Sequence, residues 1–143
     1  MSRSADDEVL LRLARTLVGI STRAAGLLGG VSVTQLRALT LVDAAGVGRP
    51  GQLADELGIS PSAASRLADR LVLAGLVRRE TAISDRREVL LRLTPAGRAV
   101  LDRYDELRLP ELRALLDAVP DPAAARVVLE QLTAGYRGAG ALR

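Results

Sequence analysis

Six residue types are missing from this chain of 143 residues: Cys, His, Phe, Trp, Lys and Asn. Without cysteine there is no disulfide, no thiolate metal site and no thiol redox chemistry. Without histidine a zinc site would have to be built from carboxylates alone, which zinc sites rarely are. The usual general base and the most reactive nucleophile are lost together, so the composition argues against an enzyme. Aromatic residues are 1% of the chain, two tyrosines, against 48% apolar residues. The core must therefore be Leu, Val and Ala, and stacking surfaces for flat ligands are scarce. All 20 basic side chains are arginine. That uniformity reflects compositional bias, so the position of each arginine carries more than their number. No window approaches the roughly 18 uncharged apolar residues of a membrane span. The opening residues, Met1 to Glu8, are acidic and lack a signal peptide's apolar stretch, which leads us to expect a cytoplasmic protein with no membrane partner. Gly46, Gly48 and Gly51 do not form a phosphate loop, because no strand precedes them and no Lys follows. No cofactor is expected.

What is present is organised around Gly51 to Leu93. The segment GQLADELGIS places Leu53, Ala54 and Leu57 on one helical stripe, with a helix expected from about Pro50 to Leu57. Gly58 stands where a helix ends in a left-handed residue, and Ile59 plugs the turn. Ser60 then precedes Pro61: a capping hydroxyl, followed by a proline at the first helical position, where its missing N–H costs nothing. The second helix, Pro61 to Ala74, separates its faces. Ala64, Leu67, Ala68 and Leu71 share one side; Ser62, Ala63, Ser65, Arg66, Asp69 and Arg70 share the other. Small residues at its start allow close approach to a surface. Arg66 and Arg70, one turn apart, can reach phosphates or base edges. An ordinary solvated helix face is the plainer alternative.

The next stretch favours the nucleic-acid reading. Val77 to Glu80 and Glu88 to Leu93 read as strands around a loop that includes Asp85, Arg86 and Arg87. Five arginines (78, 79, 86, 87 and 92) fall within fifteen residues. A basic loop beside such a helix can enter a minor groove, where arginine responds to width and potential. Asp85 makes sense as the partner that orients Arg87. From Ser60 to Arg87 six arginines face Asp69, Glu80 and Asp85, a balance of +3, equal to the formal charge of the whole chain. A solvated charged hairpin is the alternative.

Around this unit the chain reads as apolar helix. Ser4 and Asp7 form a capping-box start to a helix from about Ala5 to Leu27, striped with Leu10, Leu13, Leu17 and Ile20. Ser32 and Gln35 open a second helix that stops near Gly46. A short extended piece at Val47 to Arg49 is expected to add a third strand to the hairpin. Thr94-Pro95 opens a long helix to about Ala118, with a kink or break expected near Leu107 to Pro110. Asp121-Pro122 opens the last, to about Tyr136.

The run LGISPSAASRLADRLVLAGLVRRE, followed by SDRREVLLRLTPAG, resembles the MarR family of bacterial transcriptional regulators, over about Val31 to Leu115. Its most specific part is Asp85-Arg86-Arg87 followed by Leu93-Thr94-Pro95-Ala96-Gly97. The resemblance implies a mainly α fold with a small antiparallel β wing. A winged helix-turn-helix would occupy 31–94, and 1–30 with 95–143 would form a helical dimerisation region. It implies a homodimer on a palindromic operator in double-stranded DNA, most often as a repressor. Ser62, Ala63, Ser65 and Arg66 would lie in the major groove, with Arg70 beside them; Arg87, held by Asp85 and next to Arg86, would enter the minor groove. It also implies a small-molecule effector between the lobes, for which Arg12, Arg15, Thr16, Thr22 and Tyr104 are the candidate contacts. The alternative is a winged-helix module that binds protein instead of DNA.

Overall fold

A computed structural model describes residues 4–45, 48–82 and 89–139. Among them are six helices and one two-stranded antiparallel sheet: α1 (Ala5–Leu28), α2 (Val33–Ala45), α3 (Pro50–Leu57), α4 (Pro61–Leu73), β1 (Val77–Thr81), β2 (Val89–Leu93), α5 (Pro95–Asp117) and α6 (Pro122–Ala139). The chain forms two compact units, Met1–Leu107 and Arg108–Arg143.

Helix starts fall where side chains satisfy the first free N–H groups. Ser4 Oγ accepts from Asp7 N at 3.1 Å, while Asp7 Oδ2 accepts from Ser4 N at 2.9 Å. Ser32 and Gln35 repeat this reciprocal pair at the head of α2, at 3.2 and 2.8 Å. Ser60 Oγ accepts from Ala63 N at 3.2 Å, with Pro61 opening α4. Asp121 Oδ1 accepts from Ala124 N at 3.0 Å at the start of α6. α3 stops at Gly58, whose φ of 63° and ψ of 35° lie in the left-handed region.

The core of the first unit is aliphatic. Leu39 and Val42 of α2, Leu53 of α3, Leu67 and Leu71 of α4, and Val77 and Leu91 of the hairpin form one buried cluster. Burying each such side chain contributes about 1.5–3 kcal/mol, enough in sum to hold helices to the hairpin without aromatic residues. A second cluster joins Ala24 and Ala25 of α1, Leu36 of α2 and Tyr104 of α5.

The hairpin pairs Val77 with Leu93, Arg79 with Leu91 and Thr81 with Val89. The extra strand expected near Val47 to Arg49 is an isolated antiparallel bridge: Gly48 N donates to Leu91 O at 2.9 Å and Leu91 N donates to Gly48 O at 2.7 Å. Glycine is needed there, since a Cβ on Gly48 would stand 2.9 Å from Val42 Cγ2. Of the kink or break expected near Leu107 to Pro110, the break does not occur: α5 runs through Pro110 to Asp117. Proline removes one hydrogen bond, a loss that a helix of 23 residues absorbs. α6 reaches Ala139, past the expected end at Tyr136. No single described helix is long and apolar enough to cross a membrane.

The start of α5 is pressed against the turn between α4 and β1. Thr94 N donates to Leu76 O at 3.1 Å, Thr94 Oγ1 donates to Gly75 O at 2.6 Å, and Gly97 N donates to Thr94 Oγ1 at 3.0 Å. A Cβ on Gly97 would stand 2.1 Å from the Leu76 carbonyl oxygen, an impossible contact with backbone. Gly97→Ala must push α5 off the turn and should cost about 1–3 kcal/mol, the usual range for overpacking. Chemical denaturation of the two proteins measures this, and an unchanged midpoint would refute the close approach.

Candidate nucleic-acid interface

α4 presents the face that its sequence foreshadows. Ala64, Leu67, Ala68 and Leu71 are buried, Ser62, Ser65, Arg66, Asp69 and Arg70 are exposed, and Ala63 is half-buried. Ser60 Oγ lies 3.1 Å from Ser62 Oγ, so the head of the helix is small and polar. Its N-terminal end carries the partial positive charge of the helix dipole, which favours a phosphate. Among the described residues no carboxylate pairs with Arg66 or Arg70.

The hairpin beside α4 disposes of its arginines differently. Arg78 and Arg92 are cross-strand partners, a like-charge juxtaposition that is unfavourable alone. Glu80 resolves it by accepting from Arg78 Nε at 2.9 Å and Arg92 Nε at 2.5 Å. Arg79 Nη2 donates to Asp69 Oδ1 of α4 at 2.5 Å. Arg78, Arg79 and Arg92 are thus held by carboxylates. Asp85, Arg86 and Arg87 lie outside the described residues.

The pairing of Glu80 was not legible in the sequence. Its proximity to Arg78 was visible, two residues away, but the bond to Arg92 depends on strand register. The Asp69–Arg79 bond, ten residues apart across two elements, left no sequence signal beyond opposite charge. The same holds for Asp43 of α2, which accepts from Arg98 of α5, one of its two bonds being 2.8 Å from Nη1 to Oδ2.

The effector candidates separate. Arg12, Arg15, Thr16 and Thr22 are exposed on α1, where Thr16 Oγ1 donates to Arg12 O at 3.0 Å. Tyr104 is 4% exposed, and its hydroxyl donates to Ser21 O at 3.3 Å. Tyr104 therefore meets α1 beside Thr22, while Arg12 and Arg15 stand roughly two helical turns further back.

A helix-turn-helix whose second helix exposes two arginines, followed by a two-stranded hairpin, defines a winged helix-turn-helix protein. The MarR family profile matches residues 31–89, spanning α2 through the hairpin. The chain belongs to the MarR family. It is 33% identical over 73 residues to the multiple antibiotic resistance protein MarR of Salmonella typhimurium, a match covering 51% of each chain. The chain thus spans about half the length of that curated relative. Among solved structures it is similar to RV1404 from Mycobacterium tuberculosis, with 31% identity, 97% of each chain covered and a TM-score of 0.77. MarR from E. coli in its apo form shares the fold at 22% identity, covering 93% of this chain and 98% of that one, with a TM-score of 0.74.

Hydrogen bonding from Arg92 does most to hold the Glu80 carboxyl below its ordinary value, and Arg78 adds to it. A folded-state value below the unfolded one means that the pairing stabilises the protein above the ordinary glutamate pKa of about 4.3 and is lost as pH falls through the lowered value. A carboxyl NMR titration should place the Glu80 midpoint below about 4.3, and Arg92→Ala should move it up. An unmoved midpoint in Arg92→Ala would remove Arg92 as the main cause.

Proposed function

We propose that the chain is a DNA-binding transcriptional regulator, a repressor, that acts as a homodimer on a palindromic operator. The observation that carries this reading is the exposed face of α4, with Ser62 and Ser65 at its head and two arginines that have no carboxylate partner among the described residues. Such a face fits a major groove, with Arg66 placed for a base edge and Arg70 for a phosphate. Asp85, Arg86 and Arg87 belong to the proposal as the wing's groove contacts and rest on the sequence alone.

The dimer reading draws on exposed apolar surface. On α1, Val9, Leu10 and Val18 are 57%, 58% and 64% exposed. On α6, Val127, Val128, Leu129 and Leu132 are also exposed. A single exposed leucine is ordinary, but runs of this kind on two helices fit an interface between copies. A two-fold dimer would set two α4 helices about 34–36 Å apart, one DNA turn. The third part of the proposal is release by a small anionic effector, drawn by Arg12 and Arg15 and flanked by Thr16, Thr22 and Tyr104.

Fluorescence anisotropy with duplex DNA from upstream of the gene, against scrambled duplex, tests the reading. Binding should be sequence-selective and weaken steeply with salt as counterions return to the phosphates. Arg66→Ala should relax preference at one operator position by about 1–3 kcal/mol. An unchanged preference moves Arg66 to the phosphate contacts. Failure to bind either this duplex or any duplex selected from random DNA favours a protein-interaction module. Analytical ultracentrifugation should show a dimer that Leu10→Glu weakens; a monomeric parent protein would overturn the two-fold arrangement.

A further inference from the structure

The exposed face of α4 carries one carboxylate. Asp69 lies between Arg66 and Arg70 on the surface proposed to meet DNA. A bare carboxylate there would repel phosphates and compete for the neighbouring arginines. Its partner comes from the wing instead: Arg79 Nη2 lies 2.5 Å from Asp69 Oδ1, with the two side chains 44% and 55% exposed.

The strand explains why Arg79 reaches towards α4. Residues at i and i+2 share a face of a strand, so Arg79 stands in the row of Val77 and opposite Leu91, both buried. This row faces the core to which α4 contributes Leu67 and Leu71. The opposite row holds Arg78, Glu80 and Arg92, which pair among themselves. Asp69–Arg79 joins the two elements.

We infer that Arg79 is a positioning residue for DNA recognition that acts through Asp69: the pair straps the wing to α4 and cancels the carboxylate on the helix's exposed face, and Arg79 is not a phosphate contact. The inference rests on the DNA-binding reading above. Helix and wing must enter neighbouring grooves together, so their mutual angle sets how well both fit one sequence. A partly exposed pair is weak, so its loss should lower selectivity by up to about fivefold for each reading head.

The test uses two measurements on the full chain. Because the sequence has no cysteine, L73C and T81C can carry spin labels at exposed sites on α4 and β1. Without DNA, the distance distribution between the labels should broaden in Asp69→Asn and in Arg79→Gln. It should narrow again in the charge swap D69R/R79D, which rebuilds the pair in reverse. In unlabelled protein, selectivity is the ratio of affinities for a duplex chosen by the parent protein from random DNA and for its scrambled counterpart. That ratio cancels charge effects common to both duplexes. It should fall up to about fivefold per head in Arg79→Gln and recover in the swap.

Two results overturn the inference. If the single substitutions leave the label distances unchanged, no strap exists. If the swap is less selective than Arg79→Gln alone, Arg79 touches the DNA itself. A parent protein that selects no duplex refutes the DNA-binding reading and with it the recognition role, while the label distances still decide whether the pair fixes the wing.

Discussion

The carbonyl oxygens of Gly75 and Leu76 hold the reading unit together. Gly75 O takes the Thr94 hydroxyl and Leu76 O takes the Thr94 amide, so the exit of α4, the root of the hairpin and the start of α5 meet within a few residues. Thr94 Oγ1 then accepts from Gly97 N and caps α5. The arrangement closes only if the helix approaches the turn without a Cβ at position 97. One strand enters the hairpin at this knot and the other leaves from it, so the base of the wing has little freedom. Higher up, the Gly48–Leu91 bridge holds β2 on its outer side, again at a glycine that a Cβ would crowd.

This explains why so much of the reading unit was legible. The faces of α4, the left-handed Gly58, the Ser60 cap and the strand positions all follow from local rules on period, capping and backbone freedom. The motif Thr94-Pro95-Ala96-Gly97 could be recognised as a helix start, but its deeper reason was hidden. Thr94 bonds to a carbonyl nineteen residues earlier, and Gly97 is small because of Leu76. Contacts of this kind depend on how elements pack, and residue spacing does not encode them. Pro110 does not break α5 for a related reason: one lost hydrogen bond is small beside the 23-residue helix around it.

Charge was the least legible property. The sequence places a balance of +3 within Ser60 to Arg87 but does not show which arginines are paired. In the structure the carboxylates are assigned. Glu80 takes Arg78 and Arg92, Asp69 takes Arg79, and Arg66 and Arg70 are left without such partners among the described residues. Among the described residues, the arginines of the strands share carboxylates, whereas Arg66 and Arg70 on the helix face do not. A count of arginines locates a basic segment; only geometry shows which of them remain available to phosphates.

The magnitudes assign different tasks to the two kinds of contact. Aliphatic burial and the hydrogen-bonded knot at Thr94 involve several kcal/mol and decide whether the unit folds. The ion pairs are partly exposed and individually weak, and salt weakens them further. Removing one should leave the fold in place, yet an energy of that size is enough to change the orientation of a hairpin whose root is fixed and whose strands extend beyond it. Stability therefore resides at the root of the wing, and alignment with the helix resides in the charges along it. Substitutions in the charged layer can alter recognition without touching the core, because the two layers share no residue.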